Sequence, residues 1–227
     1  MMDFSKFLKK YKNRSVRLIA PELGFETYKA LDLSDSNIEL QRVGYNTSKT
    51  LSEYINNQLQ KHSKQIAYGG YLEKRAIYKR SDHFKKQSKE SQRNIHLGLD
   101  FWSLEGTSVH AAFDGSIHSF KNNKAFGDYG PTIVLEHQLE GFHFFTLYGH
   151  LSLGSITTAK LGSKIKSGAT IGFLGGPKVN GDYPPHLHFQ IILDLQGNFG
   201  DYPGVCSEEA LSFYKSNCPN PHLFLDI

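Results

Sequence analysis

The chain has 227 residues, enough for one well-filled core with a smaller annex, and 39% hydrophobic and 21% charged residues with a mean hydropathy of −0.43 place it among soluble globular proteins. The net charge of +4 is unevenly spread: residues 1–93 hold 19 Lys and Arg against 10 Asp and Glu, and residues 94–227 hold 7 against 12. No stretch approaches the roughly 18 apolar residues of a membrane span, two cysteines do not make a disulfide framework, and no basic stretch is interleaved with aromatics in a nucleic-acid-binding pattern, so those three classes are set aside.

The N-terminus, MMDFSKFLKKYKNRS, lacks the apolar run of a signal-peptide core. The expected location is therefore cytoplasmic as the sequence stands, or periplasmic or extracellular if a leader precedes it. Residues 1–45 are mixed and suggest no definite element. Residues 48–66 place Leu51, Tyr54, Ile55 and Leu59 at helical spacing, with Ser48 or Thr50 able to cap, which predicts an amphipathic helix. The following IAYGGYLEKRAIY, two aromatic segments about a turn at Tyr71 to Lys74, predicts a β-hairpin. Residues 80–93 are polar and read as a loop.

From His96 onward, short apolar segments alternate with Gly, Asp and Asn turns. Strands are expected near 96–101, 108–113, 115–121, 131–137, 142–150, 164–174 and 186–194. VHAAF and SIHSF, joined through Asp114-Gly115, carry the strongest hairpin signal of the chain. The tail beyond Gly197 is irregular, with a short helix expected near 207–215. The fold class is α+β, predominantly antiparallel β, with an N-terminal α+β annex over 1–92 and a second domain over 93–227. Cys206 and Cys218 could pair across a short loop or both stay free.

Of the eleven histidines, His62 and His83 lie in charged surroundings and read as solvated. His110, His118, His137 and His143 sit on expected strands, where a hydrogen-bonded or exposed imidazole is usual, and His222 lies in the tail. The other four have distinctive contexts. His96 and Asp100 form H-x-G-x-D, two good zinc ligands. A fully extended strand would hold them roughly 13 Å apart, so the segment must curl, and Gly98 permits that. His186 and His188 form P-H-L-H-F, in which two imidazoles project from one face of a strand. Side by side on a half-buried surface, they call for something to organise them, such as a metal. His150 lies in Tyr148-Gly149-His150-Leu151, which alone is uninformative.

Together, in this order, the three segments resemble the lysostaphin/LytM-type zinc metallopeptidases. The resemblance covers about residues 93–194 and takes in Gly106-Thr107, Asp114-Gly115 and Lys166-Ser167-Gly168 with Ile171-Gly172. It implies a β-sheet groove, one Zn2+ per chain held by His96, Asp100 and His188, and a catalytic pair, His150 and His186. Three protein ligands leave a position open for water, the layout of catalytic zinc. The metal would lower the pKa of that water, His186 would act as general base, and His150 would stabilise the oxyanion or protonate the leaving amine, the two roles being exchangeable. The implied function is zinc-dependent hydrolysis of peptide bonds, with a peptide or peptidoglycan substrate. The rival readings are an intracellular zinc peptidase or amidohydrolase acting on a small soluble substrate, and a non-catalytic regulatory module that binds without cleaving. A groove covered by the annex is a further possibility. The loop GGPKVNGDYPP departs from the Ser/Thr-Gly-rich loop of many members, so substrate preference does not carry over.

Overall fold

A computed structural model describes residues 3–12, 16–44, 47–81 and 91–227. His83 and most of the expected 80–93 loop lie outside the described residues. The chain opens with α1 (Phe4–Tyr11), capped by the Asp3 carboxylate, whose Phe7, Leu8 and Tyr11 pack into the main core. Strand β1 (Tyr28–Ala30), α2 (Ile38–Val43) and α3 (Ser48–Lys61) follow. Helix α3 starts as its sequence suggests, with a reciprocal Thr47–Thr50 capping box, and buries Leu51, Tyr54 and Ile55.

Strand β2 (Ile66–Gly69) is present, but the expected hairpin around residues 71–74 is not. β2 pairs in parallel with β1 on one side and antiparallel with β4 (Leu99–Trp102) on the other. With both edges taken, it leaves no place for residues 77–80, which wind into a 3-10 turn (Ile77–Arg80).

The remaining strands are β3 (Ile95–His96), β5 (Ser108–His110), β6 (Gly115–Asn123), β7 (Gly130–Leu139), β8 (Phe142–Gly149), β9 (Lys164–Ile165), β10 (Thr170–Phe173), β11 (His186–Ile192) and β12 (Val205–Cys206). Helices α4 (Leu153–Thr157) and α5 (Leu211–Asn217) complete the set. Eight strands form one sheet in the order β1-β2-β4-β11-β8-β7-β6-β9, antiparallel except for β1 with β2. Two-stranded pairs β10-β5 and β12-β3 flank it. Among the described residues, no helix is long and apolar enough to cross a membrane.

The Asp114-Gly115 hairpin also fails to form. β5 pairs with β10 and β6 with β7 and β9, so the two segments part company at the turn. A two-residue type I′ turn needs positive φ at both central residues, and neither Asp114 nor Gly115 has it. Asp114 instead accepts hydrogen bonds from the Ser167 backbone (2.8 Å) and Lys166 (2.9 Å). Gly115 is needed for close approach: a Cβ there would lie 2.4 Å from the Glu136 carbonyl. Cys206 and Cys218 are both buried free thiols.

Candidate metal centre and active site

The centre of the eight-stranded sheet sets the register of the site. On β11, His188 stands opposite Asp100 of β4 and Gly149 of β8, and His186 stands opposite Trp102. The H-x-H alternation puts both imidazoles on one face. His96 sits on β3, in a different sheet from Asp100, because the chain breaks at Leu97-Gly98 between the two short strands. That break brings His96 Nε2 to 3.2 Å from Asp100 Oδ1, the curl that the spacing demanded. Gly98 contributes space as well: a Cβ would fall 2.6 Å from the His188 ring and 2.7 Å from the Phe189 carbonyl.

His96, Asp100 and His188 are each almost fully buried and offer ligand atoms within 4.8 Å of one another. His96 Nε2 lies 2.8 Å from His188 Nδ1, and His188 Nδ1 lies 3.2 Å from Asp100 Oδ1. The partners of the remote ring nitrogens select the tautomers. His96 donates Nδ1–H to the Gly70 carbonyl (2.9 Å), and His188 donates Nε2–H to Gln190 Oε1 (3.0 Å). The amide orientation of Gln190 is fixed, since its Nε2 donates to the Pro203 carbonyl and the Cys218 sulfur. In the neutral tautomers that these contacts select, the two inward nitrogens are both lone pairs.

The 3.2 Å spacings could suggest imidazolium–carboxylate pairs, but burial pushes His96 down to about 4, so its ring is neutral near pH 7. Two lone pairs thus converge on a carboxylate oxygen that has no hydrogen-bond donor. Such an arrangement is repulsive unless a cation sits among the three atoms. Ligand atoms about 2.0–2.2 Å from a tetrahedral ion stand roughly 3.3–3.6 Å apart, close to the two 3.2 Å spacings and wider than the 2.8 Å one. The residues present fit a divalent metal, and the Gly70 carbonyl and Gln190 supply the orienting contacts that sequence left unnamed.

Arg75 is the main residue that sequence reading missed. It lies in the segment expected to form a hairpin, far from the histidine motifs, and no local pattern marks it. Its Nη1 donates to Asp100 Oδ2 (2.6 Å) and its Nε to Glu73 Oε2 (2.5 Å), and it is 95% buried. Glu73 in turn accepts from the Leu33 backbone (2.9 Å). One Asp100 oxygen is thus pinned by Arg75 and the other faces the two imidazoles. Burial alone would raise the Asp100 carboxyl, but its imidazole neighbours and the Arg75 guanidinium outweigh this and hold it well below the usual carboxylate range.

His150 follows β8 with φ +61°, a left-handed conformation rare outside glycine, which turns its ring back over the sheet. Its Nδ1–H is donated to the Asn180 carbonyl (2.8 Å), and that of His186 to the Pro184 carbonyl (2.8 Å). The two rings lie 4.1 Å apart, and Trp102 stacks on His186 at 5.8 Å. Burial lowers both histidines, His186 to about 4 and His150 well below its ordinary value, the latter with help from its histidine neighbours. Each Nε2 is then an acceptor, and either ring can donate only after taking a proton. Tyr129, buried beside them, brings its hydroxyl within 3.4 Å of His188 Nε2.

All five residues singled out by sequence line one cavity of about 200 Å³. The other histidines lie elsewhere. His137 is buried between the Asp114 carbonyl and Thr146, His143 pairs with Glu136, and His110, His118 and His222 make contacts away from this cavity.

Residues 94–198 match the model of peptidase family M23. This segment, just under half of the chain, is similar to M23 peptidase domains. The match begins just before His96, ends after β11, and so contains all five residues. DD-carboxypeptidase/endopeptidase Mpg of Neisseria meningitidis is 35% identical over 102 residues, which are 45% of this chain and 21% of the relative. Peptidoglycan DD-endopeptidase ShyC of Vibrio cholerae is 33% identical over 104 residues, with the same coverage of each chain. The M23 segment therefore corresponds to about a fifth of each relative's length. Among solved structures, the catalytic domain of lysostaphin from Staphylococcus simulans overlaps 59% of this chain and 94% of its own, at 24% identity and a TM-score of 0.37.

Proposed function

We propose that this chain is a metallopeptidase that hydrolyses a peptide bond in peptidoglycan, with one zinc ion held by His96, Asp100 and His188. The observation that carries the reading is the convergence of two imidazole lone pairs and an undonated carboxylate oxygen in a buried cavity, inside a segment similar to M23 peptidase domains. Zinc bound there would supply Lewis acidity, polarising the scissile carbonyl and acidifying the attacking water.

The protein's own groups then handle protons. His186 Nε2, on the same face as His188, accepts the proton of the attacking water. His150, 4.1 Å away ring to ring, can act on the developing oxyanion or the leaving amine only once its Nε2 has taken up a proton, and the pair can exchange these roles. Since both rings begin neutral, the proton that reaches the leaving nitrogen is one that a ring has first taken up. The carbonyls of Asn180 and Pro184 hold the two tautomers in place. The amide C–N bond breaks, the water oxygen stays on the acyl carbon, and the amine departs with the proton.

The test is a peptide-release assay on zinc-loaded protein with wild type, His150→Ala and His186→Ala. The reading expects a fall in kcat of about 10²–10⁴-fold for each variant with zinc content retained. Unchanged turnover in both variants would remove them from the reaction.

A further inference from the structure

A polymer-cleaving site needs a groove open at both ends, and this cavity is closed on one side by the chain's own N-terminal part. Leu33, Leu51, Ile77 and Tyr78 line it together with the five histidine and aspartate positions. The same four residues share one buried cluster with Trp102, Tyr183 and Val205, which belong to the M23 segment and the strand after it. This wall is thus part of the protein's core and is not a strip laid over a finished surface. Its rim is tied down as well. Ser48, at the start of α3, donates to Asp182 Oδ1 (2.8 Å), and Arg80 pairs with Asp182 Oδ2 (3.3 Å) and also donates to the Asp182 carbonyl. The Arg80 guanidinium lies 4.7 Å from the Tyr183 ring centroid and 5.3 Å from that of Phe126, and Ser81 donates to the Phe126 carbonyl (2.6 Å). Asp182 and Tyr183 sit in the loop that enters β11, and Phe126 in the loop that enters β7. These contacts bridge two loops beside the site.

The cavity holds about 200 Å³ and opens to solvent along part of its rim. Liquid water takes about 30 Å³ per molecule, and sites for drug-sized ligands run roughly 300–1,000 Å³. A space of this size admits only the few residues around a scissile bond and leaves no room for glycan strands beside them. The charge of Arg75 is already met by Glu73 and Asp100, Arg93 donates to the Val205 carbonyl, Asp128 and Asp201 also line the cavity, and the N-terminal wall is apolar and aromatic. The chamber therefore suits a compact peptide backbone better than a polyanionic chain.

We propose, on the basis of the M23 reading above, that the N-terminal wall makes this site a chamber for short soluble peptides, such as cross-linked fragments already freed from the wall, and excludes the assembled polymer.

The experiment uses the full chain loaded with zinc and two substrates from one source: intact cell walls, and a purified soluble peptide pair joined by one D,D cross-link. The proposal expects the soluble pair to be cleaved faster per cross-link by roughly a hundredfold or more, the scale on which lost substrate positioning acts. Arg80→Ala and the milder Ser48→Ala should raise cleavage of intact walls while changing cleavage of the soluble pair by less than about threefold, within what uniform binding effects produce. Equal rates on both substrates in the wild type would overturn the proposal. So would variants that gain equally on both, since the wall would then be a gate with no size preference. Trp102 is the sole tryptophan and lines the chamber, so its fluorescence reports occupancy without turnover. Saturable quenching by the soluble pair and none by walls, with no cleavage of either, would support the chamber while refuting hydrolysis. No quenching and no cleavage with zinc bound would refute the chamber.

Discussion

Replacing Gly98 with alanine tests the packing behind the metal centre with the smallest possible change. A Cβ at this position would lie 2.6 Å from both Cε1 and Nε2 of His188 and 2.7 Å from the Phe189 carbonyl oxygen. Carbon atoms rest at about 3.5–4.0 Å, so relief requires a displacement of about 1 Å. One of the obstructing groups is backbone in the middle of β11 and cannot swing away, so the His188 ring must move or the strand must bend. Overpacking of this kind costs about 1–3 kcal/mol. Ligand positions in metal sites hold to about 0.2 Å, so a shift several times larger should weaken zinc binding by about 10–100-fold, the loss seen when orienting contacts are removed. The two effects separate experimentally. Urea unfolding in EDTA reads the packing term without metal, and competition with a zinc chelator reads affinity. An alanine variant with wild-type stability in EDTA and wild-type zinc affinity would refute the close-packing argument and return Gly98 to a role in backbone curvature alone.

His137 gives a pH prediction remote from the metal. Burial pushes it down to about 4, while in the unfolded chain it titrates near 6.5. Between those values the unfolded state binds the proton and the folded state does not, so stability is lost as pH falls through that window, by up to about 3 kcal/mol from this group. Urea unfolding in EDTA at pH 7 and 4.5 should show His137→Gln losing about 2–3 kcal/mol less than wild type, and parallel losses in the two proteins would contradict the assignment. Arg75→Met strands the Asp100 and Glu73 carboxylates in the interior and should cost about 3–5 kcal/mol in the metal-free protein. Adding Asp100→Asn should recover part of that cost, as coupled neighbours do, and an additive double variant would mean that the ion pair is not formed.

The site histidines were legible because their chemistry is written in short spacings. H-x-H on a strand fixes a shared face whatever the rest of the chain does, and β7, β8 and β11 carry apolar runs that few other elements could accommodate. The two expected hairpins failed for one reason: a turn signal is local, and both segments had stronger partners elsewhere. β2 is held between β1 and β4, and β5 is drawn away to β10, while Asp114 is engaged by Lys166 and Ser167. Arg75 and the chamber wall were invisible to sequence reading because their meaning depends on contacts across a large sequence separation. Nothing in YLEKRAIY says that its arginine will meet an aspartate 25 residues on, and nothing in Leu33 or Leu51 says that they will line the same cavity as His96, Asp100 and His188.

The account rests most directly on the metal. Protein purified without added zinc should be analysed for bound elements, as wild type, His188→Ala and Asp100→Asn, with folding of each checked by urea unfolding. The account predicts about one zinc per wild-type chain, as three protein ligands require, and its loss in both folded variants. A wild type that binds no divalent metal even after reconstitution at neutral pH would contradict it, and the three converging ligand atoms would need another explanation.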